Sequence, residues 1–330
     1  AVAEDPTIVV NEVFVTPAVI VTVMDIPPLD DDHATSAGFY YGAASPASTN
    51  WNGASFYGSA DDANFYLVDA IPTAATMGQC NGTQIGSAKA GLWDRVNTIT
   101  VELIRGSLAS VPEIACLNGA NRALVGGEII GFATATLTGT RTYTISNLIR
   151  GLRDTMDEIG AHDVEGGERF VFLSTSGLQF ESINQSVIGT TRYYKASADG
   201  ADLAEIDSGS VVHEANTLRP FSPAHLAGVR DLGTLDLEIS WVRVGRSVTR
   251  LLGPQSIPLL EEVEEYEVEI IHPSASSTVV RTAVVAASTS FTYTAAMQST
   301  DVTTGDPVKI RVYQKSATVG RGKPAEVIAT

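Results

Sequence analysis

The chain of 330 residues contains only two cysteines, Cys80 and Cys116, and neither belongs to a Cys-x-x-Cys pair. A disulfide between them needs the fold to bring them together, and two buried free thiols are the expected state. The five histidines, His33, His162, His213, His225 and His272, are dispersed, with no two at zinc-ligand spacing. There is no Gly-x-Ser-x-Gly elbow, no phosphate loop and no dinucleotide fingerprint. The longest apolar run, Val13 to Val23, is broken by Thr and Pro and falls short of the roughly 18 residues of a membrane span. No catalytic set, cofactor, metal or membrane anchor is therefore expected.

Positive charge is scarce as well. Lys and Arg total 21 against 38 Asp and Glu, a net charge of −17. Nucleic-acid recognition needs clustered Lys and Arg against phosphate, so no sequence-specific nucleic-acid partner is expected. An acidic surface would instead repel DNA, as suits a wall that DNA slides past, and ordinary solubility explains the acidity equally well. Hydrophobic residues make up 44% of the chain and charged ones 18%, enough apolar material for a proper core.

What is present is strand pattern. Thr, Val, Ile and aromatic residues alternate with polar ones over short runs, as in Thr98 to Leu103 and Arg141 to Ile145, and Gly, Asn, Asp and Ser punctuate them. No long stretch carries the spacing of an amphipathic helix. The expected fold is all-β: small sandwiches or barrels in series. Residues 1–37 read as an extended arm that opens like the middle of a chain already under way. It ends in Pro27-Pro28-Leu29-Asp30-Asp31-Asp32, a surface turn and a poor match to a calcium loop. Residues 38–110 read as an aromatic, Gly- and Asn-rich β domain, and residues 111–218 as a barrel-like domain. Arg219-Pro220-Phe221-Ser222-Pro223 makes a stiff junction. Residues 219–330, with about seven short strands, one buried Trp (Trp241) and a late Tyr strand, suit a fibronectin type III-like sandwich. The acidic run Glu261 to Glu265 reads as a solvated face or a charged edge.

Three sets of residues are candidates for function. Trp51, Tyr40 and Tyr57 offer rings that could stack on a glycan, against the plainer reading of core or interface packing. Glu128, Glu158, Glu165 and Glu168 offer paired carboxylates for glycan cleavage, a pattern of little specificity in an acidic chain. Arg150 and Arg153 flank Gly151, and are expected to form structural ion pairs with Glu128 or with Asp154 and Asp157, fixing a junction.

The ordered run Asn118-Gly119-Ala120-Asn121, Ala123 to Gly126, Glu128 to Phe132, Tyr143, Leu148-Ile149-Arg150-Gly151-Leu152-Arg153, His162 and Gly167 to Val171 resembles the large tail-tip proteins of gene transfer agents and related siphophages. Flanking matches lie in order, from Pro28-Leu29, Gly38-Phe39-Tyr40 and Trp51-Asn52-Gly53 to Arg219 through Leu226 and Trp241. Asp154 departs from the family, which tends to have Gly there. The upstream hub and TIM-barrel-like region of such proteins is not in this chain, so it is expected to be their C-terminal part or a separately encoded version. The resemblance implies a non-enzymatic virion protein at the tail tip or baseplate. It implies a homotrimer that meets distal tail and hub proteins and a host cell-surface receptor or glycan, and serves attachment and genome delivery. The alternative is a carbohydrate-binding adhesin module, and behind it a cell-wall glycan hydrolase.

Overall fold

The computed structural model describes residues 18–46, 50–81, 85–160, 162, 167–198, 201–247, 258–272 and 278–330. The chain is all-β, as its alternation requires. In order, the first strands are β1 (Ile20–Met24), β2 (Gly38–Ala44), β3 (Ala54–Ser59) and β4 (Tyr66–Ile71). Next come β5 (Met77–Asn81), β6 (Trp93–Asp94), β7 (Ile99–Arg105), the single-turn helix α1 (Glu113–Leu117), β8 (Arg122–Val125), β9 (Glu128–Gly139), β10 (Thr142–Leu152) and β11 (Arg169–Phe172). β12 (Gln179–Ser182), β13 (Thr191–Ala198) and β14 (Gly209–Val212) follow. The last group is β15 (Ala224–Arg230), β16 (Leu237–Val242), β17 (Glu265–Ile271), β18 (Val279–Ala286), β19 (Ser290–Tyr293), α2 (Ala295–Asp301), β20 (Val308–Ser316) and β21 (Gly320–Ala329).

Strand pairing redraws the boundaries expected at 37/38 and 110/111. β5 to β11 form one sheet in the order β6-β10-β7-β5-β11-β8-β9, and β9 also pairs with β10. Six strands thus close on themselves into a barrel, with β6 appended to β10. The strands on either side of it in sequence join each other: β1-β2-β12 make one sheet and β14-β13-β3-β4 another. The barrel is therefore inserted into a sandwich built from both flanks. A boundary at 110 would cut β5, β6 and β7 away from the strands they pair with. Residues 20–24 are no free arm either, because β1 pairs along β2 from Ile20↔Ala44 to Met24↔Tyr40; residues 1–17 lie outside the described residues.

Period-two alternation sets the cores. Ile99, Val101 and Leu103 of β7 point into the barrel with Phe132, Ile145 and Phe170. β2 is buried along its whole length. Its Phe39, Tyr41 and Ala43 face the sandwich interior with Phe56 and Tyr194, while Tyr40 and Ala44 face outward onto Met77, Leu124 and Ile129 of the barrel. A strand covered on both faces reads as a continuous apolar run, as Gly-Phe-Tyr-Tyr-Gly-Ala-Ala does.

The last seven strands form sheets β15-β16-β19 and β18-β17-β20-β21, the strand order of a fibronectin type III sandwich. Trp241 is buried in its core, edge-on to Tyr266 at 5.1 Å between ring centroids. The acidic run leading into β17 is solvated only in part, at Glu262 and Val263, and β17 is not an edge strand. Glu261 is buried against Arg246, Glu262 accepts from the Ala317 amide (3.0 Å), and Glu264 accepts from the Tyr266 hydroxyl (3.0 Å). Cys80 and Cys116 are buried and free.

Candidate functional site: a buried hub in the barrel and a clasp at its exit

The hub begins at an irregularity in β10. Its register against β9 shifts between Ile149 and Leu152, and a bulge of this kind re-aims a side chain. Gly151 sits there at φ +64°, where an added Cβ would lie 2.9 Å from Ile159 and 3.0 Å from the Met156 backbone. Only glycine makes this turn without strain. The result is that Arg150, 0% exposed, projects into protein.

Glu128, at the start of β9 and also fully buried, receives it. Arg150 donates from Nε to Glu128 Oε1 (2.8 Å) and from Nη2 to Oε2 (2.7 Å). The Gly151 amide donates to Oε1 (2.7 Å), and His162 Nε2 lies 2.7 Å from Oε2. Both carboxylate oxygens therefore carry two partners each, close to the capacity of the group. The other nitrogen of His162, Nδ1, is 2.9 Å from Glu168 Oε2. Arg150 Nη1 reaches Asp94 Oδ2 (3.4 Å) and the Gly86 carbonyl (3.3 Å). Asp94 in turn accepts from the Val96 and Asn97 amides.

These contacts set the protonation states. Burial works against the charge on Glu128, but donors from His162 and Arg150 outweigh it and hold the carboxyl below its ordinary value. Burial also opposes charge on His162, and its bonds to Glu128 and then Glu168 overcome this and raise it. An imidazole with a carboxylate at each nitrogen is most stable when both nitrogens donate. The hub is thus Arg150 and imidazolium His162 held between Glu128, Glu168 and Asp94. Its chemistry is that of a satisfied ion network.

The clasp follows within two residues. Arg153 and Asp154 both adopt positive φ, +56° and +65°, a region that non-glycine residues rarely enter. Arg153 donates to three carbonyls, Pro28 (2.7 Å), Arg246 (2.6 Å) and Ser247 (3.1 Å), and its guanidinium lies 5.0 Å from the centre of the Phe221 ring. Burial pushes it down to about 10. Asp154 accepts from the amide (3.0 Å) and the hydroxyl of Ser222. Arg246, itself buried, pairs with Glu261 at 3.0 Å and donates to the carbonyls of Ala34 and Thr217. Sandwich, barrel and fibronectin type III-like unit are thereby fastened at one point.

Among the sequence candidates, Glu128, Arg150 and Glu168 meet in the hub, while Arg153 stands apart in the clasp and bonds to carbonyls rather than to Asp154 or Asp157. Glu158 lies over Gly127, and Glu165 lies outside the described residues. The three rings form no common platform. Tyr40 is 3% exposed, with its hydroxyl accepting from the Leu29 amide (2.7 Å). Trp51 packs at the rim of the other core and donates from its indole to the Pro72 carbonyl (2.9 Å). Tyr57 is half-buried in β3. Burial on both faces of β2 leaves Tyr40 no exposed ring face on which a glycan could stack. The pairing of Arg246 with Glu261 was not legible in the sequence, because the two residues are 15 apart and Glu261 reads as part of an acidic run. The one available signal was an arginine between small residues, Gly245 and Ser247.

Residues 75–171 match the family described as Rcc01698-like, C-terminal, a family related to gene transfer agents. The match begins just before β5 and ends inside β11, so it coincides with the inserted barrel and contains the whole hub. No curated protein sequence matches the chain. Among solved structures, the chain is similar to the FN5 domain of Drosophila Lar, with 13% identity over 33% of this chain and 94% of that one, at a TM-score of 0.23. It is also similar to the FN1–FN3 domains of chicken CNTN1, with 9% identity over 95% and 98%, at a TM-score of 0.25. The fibronectin type III assignment rests on the strand order. Among the described residues no helix is long and apolar enough to cross a membrane.

Proposed function

We propose that this chain is a non-catalytic structural component of the tail tip or baseplate of a phage or gene-transfer-agent particle, acting in host attachment and genome delivery. The observation that carries the reading is the coincidence of the family match with the inserted barrel, hub included. A structural rather than enzymatic role is supported by the hub itself: both oxygens of Glu128 are taken up by Arg150, Gly151 and His162, which leaves no free carboxylate pair for glycan cleavage there. The acidic surface suits a passage that does not retain DNA. The chain works as a homotrimer alongside distal tail and hub proteins, facing a receptor or glycan on the host cell.

Purified particles test this. Quantitative mass spectrometry should find the chain at about three copies per tail, as a closed three-fold assembly requires. A chain abundant in lysate and missing from particles would overturn the reading. Host cell wall embedded in a gel should remain uncleared by the purified protein.

A further inference from the structure

The two sheets of the split sandwich leave a gap at one end. Gly58, Tyr66 and Tyr194 stand in one row across β4, β3 and β13, paired Gly58↔Tyr66 and Tyr194↔Gly58. Because the central position is glycine, no side chain fills the space between the two tyrosines. A Cβ there would already touch Tyr194 and Val68 at 3.2 Å. The opening is a groove of about 330 Å³ with Phe39 and Tyr194 at its floor and Tyr66 at its mouth. The Tyr66 side chain has inward parity yet is 72% exposed.

Two charged side chains line the same groove, Glu181 from β12 and Arg192 from β13. Neither makes a side-chain hydrogen bond or ion pair among the described residues. Burial, and after it the charge of Asp69, pushes the Glu181 carboxyl up, the mark of a carboxylate without donors of its own. A wholly apolar occupant would strand both groups, and a charged occupant of either sign would oppose one of them. A neutral polyol with one apolar face satisfies all three features. Its C–H face lies on Tyr66, its hydroxyls donate to Glu181, and its oxygens accept from Arg192. The volume is at the small end of ligand pockets, which run from roughly 300 to 1,000 Å³.

We propose that this groove is a glycan-binding site for a neutral pyranose, with Tyr66 as the stacking ring and Glu181 and Arg192 as the hydroxyl-bonding pair. It deepens the attachment reading by giving the particle a sugar contact.

Saturation-transfer NMR on the full chain tests it, with the methyl glycosides of glucose, galactose, mannose, rhamnose and N-acetylglucosamine as millimolar probes. At least one should receive saturation, strongest on ring C–H protons. Tyr66→Ala should weaken that binding about three- to tenfold, the loss of one stacking contact, without lowering the thermal midpoint. Glu181→Gln and Arg192→Ala should each weaken it too, and Trp51→Ala, outside the groove, should not. Absence of binding by all five glycosides, or binding undiminished in Tyr66→Ala, would overturn the site. Sugar binding by a chain missing from particles would keep the groove and remove the tail-tip reading; particle incorporation without sugar binding would do the reverse.

Discussion

The hub and the clasp centre on arginines three residues apart on the chain, Arg150 fully buried and Arg153 half-buried, and they take a guanidinium out of water differently. Arg150 is neutralised by carboxylates, bidentate to Glu128 with Asp94 behind it, all within the barrel. Arg153 is surrounded by carbonyls and a ring from other units. A buried charge facing countercharges gains most from geometry that is already fixed. A buried charge facing neutral carbonyls gains less per bond, but can draw acceptors from segments far apart in sequence. The hub therefore belongs to the folding of the barrel, and the clasp to the placement of the barrel against its neighbours.

The largest test of that division is Glu128→Ala. It leaves Arg150 and His162 buried without their shared acceptor, which costs about 3–5 kcal/mol when one partner of a buried pair is removed. Hydrogen exchange should show the loss in β5 to β11 and not in β15 to β21. A loss below about 1 kcal/mol would mean that the hub does not stabilise the barrel.

Titration sharpens the same point. His162 is raised in the folded state above its ordinary 6.5, so its contribution is complete below that value and is lost as pH rises through the folded pKa. Glu128 is lowered below its ordinary 4.5, so its contribution is complete above that value and is lost as pH falls through the folded pKa. Barrel stability should be greatest from about 4.5 to 6.5 on this account. His162→Gln should lower it by about 1.5–3 kcal/mol in that window, the worth of charged hydrogen bonds, and should abolish the alkaline decline. An alkaline limb that persists in the variant would place the titrating group elsewhere.

Arg153→Met keeps the apolar stem and removes the donors. The three carbonyls then lose their partner, for about 1–2 kcal/mol, and the effect should appear between units rather than within them. Small-angle scattering should report a larger radius of gyration while exchange in the barrel stays unchanged. Faster exchange inside β9 and β10 would show instead that the clasp supports the barrel itself.

The two regions also differ in how far they could be read from sequence. The hub's Glu128 and Arg150 stood out because they are charged residues within apolar strands, and the pairing follows from that. The clasp could not be read in the same way, because its acceptors are main-chain carbonyls at Pro28, Arg246 and Ser247, which no side-chain pattern announces. The fold class and the fibronectin type III-like pattern were legible from alternation, since period two reports faces directly. The insertion was not, because alternation says which face of a strand is inward but not which strand it pairs with. β4 and β5 are neighbours in sequence and belong to different units, while β2 and β12 belong together across more than a hundred residues. The aromatic run of β2 misled for a related reason. Its missing polar alternation was the signal of burial on both faces, and it resembled a ring-rich surface only when read as composition.

The smallest expected effect concerns the residue that departs from the family resemblance. Asp154 stands at φ +65°, where glycine is at ease and another residue costs about 1–2 kcal/mol. Its carboxylate accepts twice from Ser222 at the start of the fibronectin type III-like unit, which returns a similar amount at about 0.5–1.5 kcal/mol per bond. Burial raises the Asp154 carboxyl, and the Ser222 bonds only partly offset this. Asp154→Gly should therefore shift stability by less than about 1 kcal/mol, because relief of the backbone and loss of the bonds nearly cancel. Asp154→Ala keeps the strained backbone and loses the bonds, so it should be the worse of the two by about 1 kcal/mol. Equal losses for both would show that the backbone there carries no strain, and that the aspartate is present for the Ser222 bonds alone.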